Sequence, residues 1–247
     1  MHEPDDLEFA VPVSMQPGLL VERRGLFATT AAALAAAWVP GSSPRWRLRQ
    51  GPGDGFTVAE FVQQVAPLCK ELLADTSARG QDRYLLALAS FAVRLGTVPE
   101  ADPMRTVGPG HQIGSNHGPE PFTVLHWRLA AGAVIEPHAH SYGNVVTLGL
   151  EGSVRLRNYE VVGQRDYEAR EPFRAQCTVD QILRPGDVNL VSLERNYVHG
   201  FVAGPRGARG LDITTRIRPK CRSPVLVLGE VADADARVFT ATWRLGD

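Results

Sequence analysis

The sequence has almost no lysine and almost no net charge. Its 247 residues include 26 Lys and Arg against 27 Asp and Glu, and only Lys70 and Lys220 are lysines. A net charge of −1 provides no field that would attract nucleic acid, and no helix-turn-helix pattern is present. We therefore expect no polyanionic macromolecule as a partner, and we interpret the excess of arginine over lysine as a bias of composition.

Cysteines and long apolar runs are also scarce. Cys69, Cys177 and Cys221 are too few and too scattered for a disulfide framework or a zinc site. No neighbour in sequence lowers a thiol pKa, so we predict that none is catalytic, although export would allow one pair to bridge. An uncharged, weakly apolar segment at 26–39 is too short to cross a membrane, so we expect no stable membrane anchor.

Paired arginines and an alanine-rich stretch mark residues 1–40. Arg23-Arg24, the apolar residues after them and the small residues that follow resemble a twin-arginine export signal. The resemblance implies an exported, periplasmic protein, with Met15 as an alternative start because the segment before it is acidic. The other interpretation is a buried alanine-rich helix in a cytoplasmic protein. Residues 41–56 are rich in glycine and proline, which predicts a linker or arm.

Residues 57–98 have the pattern of a two-helix element. Thr57 and Glu60 fit a capping box, and apolar residues then recur at helical spacing across Pro67, which is expected to kink the helix. A second helix is predicted over 81–95. We expect the apolar stripes to pack on the rest of the chain, and the alternative is a helix pair that binds a partner.

Short strand patterns separated by Gly/Pro turns recur through residues 99–247, which predicts a mainly β, jelly-roll-like barrel. Residues 99–121 are predicted to be a Gly/Pro-rich loop that carries His111 and His117. We interpret both as solvated, with a lid or an accessory ligand pair as the alternative. The polar stretch from 163 to 173 is predicted to be an exposed hairpin or loop.

The predicted strand 122–129 has two different faces. One face carries His126 and Arg128, and the other carries Leu125 and Trp127. One of these faces must line the barrel interior. If it is the first, His126 and Arg128 can reach a substrate, and an arginine fork suits a carboxylate. The sequence leaves the choice of face open.

Three histidines predict a metal site. His138 and His140 are two residues apart, so on a strand both imidazoles point to the same side. His199 lies in a later strand pattern that follows the turn 185–187. Three histidines from strands of one barrel can face a single transition-metal ion.

The pattern around these histidines resembles a known family. Gly132, five residues, His138-x-His140 and a later Gly152 resemble the first motif of the cupin superfamily, and Pro185-Gly186-Asp187 leading to His199 resembles the second. The resemblance covers about residues 120 to 220 and implies a single cupin barrel with a bound metal. Asn144 stands where the usual cupin has a glutamate ligand, and the spacing from Asn144 to Gly152 is one residue longer than the common form.

A three-histidine site without glutamate is similar to that of the thiol dioxygenase branch of cupins, whose members bind iron(II). The resemblance implies an iron(II) cofactor, O2 and a small anionic substrate, with a thiol as one candidate. Imidazole suits Mn, Ni, Cu and Zn as well, so these ions stay open. Asn144 would donate a hydrogen bond to a metal-bound water or substrate, or act as a weak fourth ligand, and Tyr142 would shape the pocket.

The sequence therefore predicts a metal-dependent cupin oxidoreductase, in particular an iron(II) dioxygenase acting on a small molecule. Two alternatives remain at this point: a non-catalytic barrel that binds a metal or a ligand, and a metal-dependent isomerase or decarboxylase. The Ser-His-Tyr set that thiol dioxygenases carry behind the site is not apparent after His199. A homodimer is compatible with the sequence.

Overall fold

The computed structural model describes residues 55–118, 122–219 and 223–245. The predicted export signal, most of the 41–56 arm and Cys221 lie outside these residues. The described chain forms two helices and ten strands: α1 (Val58–Ala74), α2 (Ala78–Ala92), β1 (Arg105–Gly108), β2 (His111–His117), β3 (Phe122–Leu129), β4 (Val134–Ala139), β5 (Gly143–Val161), β6 (Phe173–Leu183), β7 (Val188–Val191), β8 (Val198–Arg216), β9 (Val225–Asp233) and β10 (Val238–Arg244). Neither helix is long and apolar enough to span a membrane.

The capping box predicted at the start of α1 is present. The Glu60 amide donates to Thr57 Oγ1 at 3.2 Å, and the Thr57 amide donates to Glu60 Oε2 at 2.8 Å. Two otherwise unsatisfied amides of the first turn are thereby paired. Pro67 lies inside α1, and the helix continues through it to Ala74.

Helix α2 begins three residues earlier than predicted, because Ser77 caps it. The Ser77 hydroxyl accepts a hydrogen bond from the Gly80 amide at 3.1 Å. A Cβ atom at Gly80 would lie 2.0 Å from the carbonyl oxygen of Asp75, so only glycine allows the chain to turn this tightly between the helices. The helix ends at Ala92, before the predicted end at 95.

Six strands close a barrel in the order β4-β9-β10-β6-β5-β8, with β8 pairing back to β4. Strands β3, β2 and β1 extend the sheet beside β8, and β7 pairs with β5. The mainly β, jelly-roll-like barrel with a two-helix N-terminal element is therefore confirmed. The polar stretch after β5 is a loop, as predicted.

Strands β5 and β8 are long because each crosses the whole barrel. Their pairing register shifts between Gly149 and Glu151 and again between Gly152 and Val154. These irregularities bend the two strands, so that one half of the pair lies beside β3 and β7 and the other half lies beside β4 and β6.

The two faces of β3 enter different apolar clusters, which settles the alternative that the sequence leaves open. The face with Phe122 and Val124 packs against the helices, together with Phe61 of α1. The face with Trp127 and Leu129 packs with Phe201 of β8 in a second cluster inside the barrel. The barrel interior is therefore lined by the Trp127 face. The apolar stripes of both helices are covered by the sheet.

Candidate metal centre

His138, His140 and His199 converge at one end of the barrel. His138 lies in β4 directly opposite His199 in β8, and His140 follows the last residue of β4. The ring centroids are 4.7 to 4.9 Å apart. One nitrogen from each ring lies within 4.8 Å of the others, so the group could hold a metal ion. The convergence that the His138-x-His140 spacing and the later His199 predict is therefore present.

A bulge and a glycine place His138 opposite His199. The register of β4 against β8 shifts between Ile135 and His138, on either side of Pro137. A Cβ atom at Gly200 would lie 2.8 Å from the Pro137 nitrogen, so the two backbones approach this closely only because residue 200 is glycine. The backbone amide of His140 then donates to the carbonyl oxygen of Tyr197 at 2.9 Å, which fixes the second histidine beside the first.

The tautomers follow from the contacts of the ring nitrogens. His138 Nδ1 lies 2.9 Å from the carbonyl oxygen of Glu136, so this nitrogen carries the proton and Nε2 keeps its lone pair. The Nε2 atoms of His140 and His199 are 2.9 Å apart. This is a hydrogen-bond distance, at which one ring donates its Nε2 proton to the other. If both rings instead carried the proton on Nδ1, both Nε2 lone pairs would be free to bind one ion.

Electrostatics keep the three rings neutral. Burial lowers the pKa of His138, His140 and His199, and neighbouring imidazoles lower the pKa of His140 and His199 further, to well below the usual value of 6.5. Neutral imidazoles are the form that binds a metal. The Nδ1 atoms of His140 and His199 are buried and have no partner among the described residues.

Four further polar side chains extend from His199 across the barrel. Asn158 pairs with His199 across β5 and β8. Its side-chain nitrogen donates to Asn189 Oδ1 at 2.7 Å, and Asn189 returns a hydrogen bond at 3.2 Å. Thr147 lies opposite Asn189 and donates to Asp212 at 2.7 Å. We call Asn158, Asn189, Thr147 and Asp212 the interior polar chain.

The interior polar chain was not found by sequence reasoning. Burial raises the pKa of Asp212 to about 6, although the hydrogen bond from Thr147 opposes this shift. The available signal was the presence of polar residues at inward positions of strands that otherwise carry apolar ones. Asn189, for example, stands between Val188 and Leu190.

Tyr142 lies near the histidines, and Asn144 does not. The rings of Tyr142 and His140 are 6.3 Å apart. Asn144 is fully buried on the face of β5 that carries Val146 and Leu148, which pack against the helices, and neither atom of its amide has a partner among the described residues. Because side chains alternate along a strand, Val145 takes the barrel-facing position instead.

His126 and Arg128 point away from the barrel interior, because they lie on the helix-facing side of β3. Burial lowers the pKa of His126 to about 4, and neither ring nitrogen has a partner in the described part of the chain. Arg128 is exposed and forms a two-point pair with Glu100, at 2.5 and 2.8 Å. The structure therefore does not bring these two residues to the three histidines.

The other aromatic and sulfur side chains near the barrel are packed. The Tyr197 hydroxyl accepts a hydrogen bond from the Val161 amide, and the Arg165 guanidinium lies 4.4 Å from the centre of the Tyr197 ring. Burial raises the pKa of the Cys69 and Cys177 thiols, which keeps both protonated at neutral pH.

The prediction of a loop at 99–121 with solvated histidines is wrong, because this segment contains β1 and β2, and His111 and His117 lie half-buried in β2. The ring centre of His117 is 5.1 Å from that of Phe122.

No protein-family model matches the chain, and no curated protein matches it. Several solved structures are similar to it. KdgF from Halomonas sp. is 20% identical, with 47% of this chain and 88% of that chain covered and a TM-score of 0.35. An RmlC-like cupin from Shewanella frigidimarina is 21% identical, with 47% and 85% covered and a TM-score of 0.35. The coconut allergen cocosin is 17% identical, with 49% and 30% covered and a TM-score of 0.37, so the chain spans less than a third of that protein.

The chain is a mainly β barrel in which His138, His140 and His199 form a group that could hold a metal ion.

Proposed function

We propose that this protein is a metal-dependent oxidoreductase, an iron(II) dioxygenase acting on a small anionic substrate, with thiols as the first class to test. The observation that carries the proposal is the convergence of three imidazoles, whose ligand nitrogens lie within 4.8 Å of one another, at one end of a closed barrel. When bound, an iron(II) ion would supply redox chemistry and about three coordination positions for substrates. His138, His140 and His199 would hold it through Nε2.

The charges inside the barrel support an anionic substrate held by the ion. Arg155 and Arg157 of β5 lie on the outward face, whereas the half-buried Arg216 at the end of β8 alternates with Thr214 and Asp212 onto the barrel-facing side. An anion would bind directly to the metal, whose charge three neutral ligands leave uncompensated. Arg128, which the sequence offered for this role, is already paired with Glu100 outside the barrel.

The neighbouring side chains have two functions in this proposal. Phe201, whose ring centroid is 4.8 Å from that of His199, and Trp127 behind it form an apolar wall that excludes water. Asn158 is held by Asn189 beside His199, so it can accept or donate a hydrogen bond at that edge of the site. Asp212, with a pKa of about 6, can hold a proton near neutral pH.

Asp212 also favours a second candidate function. A buried carboxyl group whose pKa lies close to neutrality suits general acid–base chemistry. A metal-dependent isomerase or decarboxylase, in which the ion acts only as a Lewis acid, would need such a group. This alternative predicts turnover without consumption of oxygen.

Oxygen consumption separates the two candidates. The protein is loaded with iron(II) anaerobically, mixed with small thiols and carboxylates, and exposed to air-saturated buffer in an oxygen electrode. The dioxygenase proposal predicts uptake of O2 that depends on both iron and one class of substrate, and that is absent from a His199→Ala variant. Substrate conversion without O2 uptake would support the Lewis-acid candidate. Iron binding without any turnover would contradict both and favour a binding barrel.

We also propose that Arg23-Arg24 direct the protein to the periplasm. The support is the resemblance of residues 1–40 to a twin-arginine signal. Replacing both arginines with lysine should retain the protein in the cytoplasm, as judged by fractionation of cells. Equal periplasmic amounts of the variant and the parent protein would show that the pair is not read as a signal.

A further inference from the structure

A cavity lies at a place where several turns of the barrel meet. It is an open cleft of about 790 Å³, and none of the three histidines lines it. Its walls carry four arginines, one glutamate and one histidine: Arg128, Arg184, Arg206, Arg209, Glu151 and His111. This excess of positive charge is local, because the whole chain has a net charge of −1.

Two of the arginines form a neutral cluster with two carboxylates. Arg128 and Arg209 are direct cross-strand partners of β3 and β8, an arrangement that is unfavourable for like charges. Glu100 pairs with Arg128, and Glu151 pairs with Arg209 at 2.7 Å. Arg209 Nη1 also donates to the Val98 carbonyl oxygen at 3.1 Å. Both guanidinium groups are thereby fixed, and each keeps N–H donors that these bonds do not use.

The remaining two arginines have no such compensation. Arg184 and Arg206 are exposed, and no carboxylate of the described residues lies within ion-pair distance of either side chain. They therefore leave two positive charges at the rim of the cleft.

The backbone holds Arg184 and Arg206 in position. The turn that carries Arg184 is bound to Gly149 of β5 by two backbone hydrogen bonds, at 2.9 and 3.0 Å. Arg206 precedes Gly207, which has a φ of +71°. A Cβ atom at Gly152 would lie 2.1 Å from the Gly207 carbonyl oxygen, so this segment lies tightly against β5. The backbone positions of Arg184 and Arg206 are therefore fixed at the rim of the cleft.

We propose that this cleft binds a small molecule through a phosphate monoester group. A phosphate monoester carries close to two negative charges at neutral pH, which matches the two uncompensated arginines. The planar guanidinium fork fits phosphate oxygens at two points, and the fixed Arg209 offers a further donor from the wall. Thr106 and Ser153, which also line the cleft, can donate hydroxyl hydrogen bonds.

The test uses phenyl phosphate as the probe in isothermal titration calorimetry with the intact protein. We expect saturable binding that weakens at least about tenfold in the Arg184→Ala/Arg206→Ala variant, since one lost charged hydrogen bond corresponds to about one order of magnitude in affinity. The matched control is Arg79→Ala/Arg170→Ala, which removes the same charge from two exposed sites outside the cleft. This control should bind like the parent protein.

Two further measurements make the proposal falsifiable. Phthalate carries a similar charge as two carboxylates, and binding of phthalate as tight as that of phenyl phosphate would overturn the assignment to phosphate. The His199→Ala variant should retain phenyl phosphate binding, and loss of binding there would place the anion at the metal centre. Absence of saturable binding in the parent protein, or equal weakening in the control variant, would also overturn the proposal.

Discussion

The two sides of the β3–β8–β5 sheet each bury histidine, but only one side brings histidines together. His126 on the helix-facing side and His199 on the barrel-facing side are both fully buried. Burial lowers the pKa of each, and neither Nδ1 atom has a partner among the described residues. His199 has two other imidazoles within 4.9 Å, whereas His126 is not part of the histidine group. Burial and a low pKa therefore do not distinguish the two sides, whereas convergence of ring nitrogens marks the group that could hold a metal ion.

Removal of the metal should give the largest difference in thermal stability between variants of His199, on the barrel-facing side, and of His126, on the helix-facing side. At a free metal concentration about 1,000 times the Kd, a bound ion stabilises the fold by about 4 kcal/mol, which corresponds to about 8–16 °C in Tm for a chain of this size. A chelator should lower the Tm of the parent protein and of His126→Leu by this amount, measured by scanning calorimetry. It should leave the Tm of His199→Leu unchanged. A chelator effect that persists in His199→Leu would contradict the assignment.

The buried His126 should make the free energy of unfolding depend on pH. Its folded-state pKa of about 4 lies below the ordinary value of 6.5, so the unfolded chain binds the proton more tightly. Stability is therefore lost as the pH falls from 6.5 to 4, by about 3 kcal/mol over the whole window. His126→Leu should remove this loss, as measured by urea unfolding at pH 7 and pH 4.5. A variant that loses as much stability as the parent protein would show that His126 is not held neutral.

Asp212 on the barrel-facing side should act with the opposite sign in nearly the same window. Its folded-state pKa of about 6 lies above the ordinary value of 3.8, so the folded chain binds the proton more tightly. This contribution is present below pH 3.8 and is lost as the pH rises through 6, by about 3 kcal/mol.

Asp212→Asn stays neutral and should not lose stability on this rise. The same urea series at pH 4.5 and pH 7 tests the expectation, with His126→Leu as the opposite reference. An unchanged difference between the two pH values in Asp212→Asn would contradict it.

Replacing two asparagines on opposite sides of β5 should give the smallest difference in stability. Asn158→Ala leaves the buried amide of Asn189 without its partner, which should cost about 1–3 kcal/mol. Asn144→Ala removes an amide that has no partner among the described residues, so the cost should stay below about 1 kcal/mol. Chemical denaturation at pH 7 measures both. Equal costs would mean that the interior polar chain does not contribute to stability.

Local patterns predicted the features that depend on neighbouring residues. The Thr57–Glu60 capping box and the two helices are features of one segment each, and the structure contains them. The three-histidine group could be predicted because His138 and His140 share a strand-like spacing and His199 follows a turn in a similar strand pattern. These two patterns predict the direction of the side chains correctly because each depends on strand alternation over only a few residues.

Features that depend on register across strands could not be predicted. The family resemblance places Asn144 beside the histidines, but in the structure the barrel-facing position belongs to Val145, one residue further along β5. A shift of one residue along a strand moves a side chain to the opposite face of the sheet. The two faces of β3 could not be distinguished either, because both carry apolar residues and both are buried. The interior polar chain joins residues of β5, β7 and β8, and no spacing within the sequence indicates that they meet.

The metal content of the purified protein tests the central claim most directly. The parent protein, His199→Ala and His126→Ala are prepared without affinity histidines, reconstituted with iron(II) under identical anaerobic conditions and analysed for bound metal by mass spectrometry. The account predicts near-stoichiometric iron in the parent protein and in His126→Ala, and almost none in His199→Ala. Equal metal in all three proteins, or none in any of them, would contradict it.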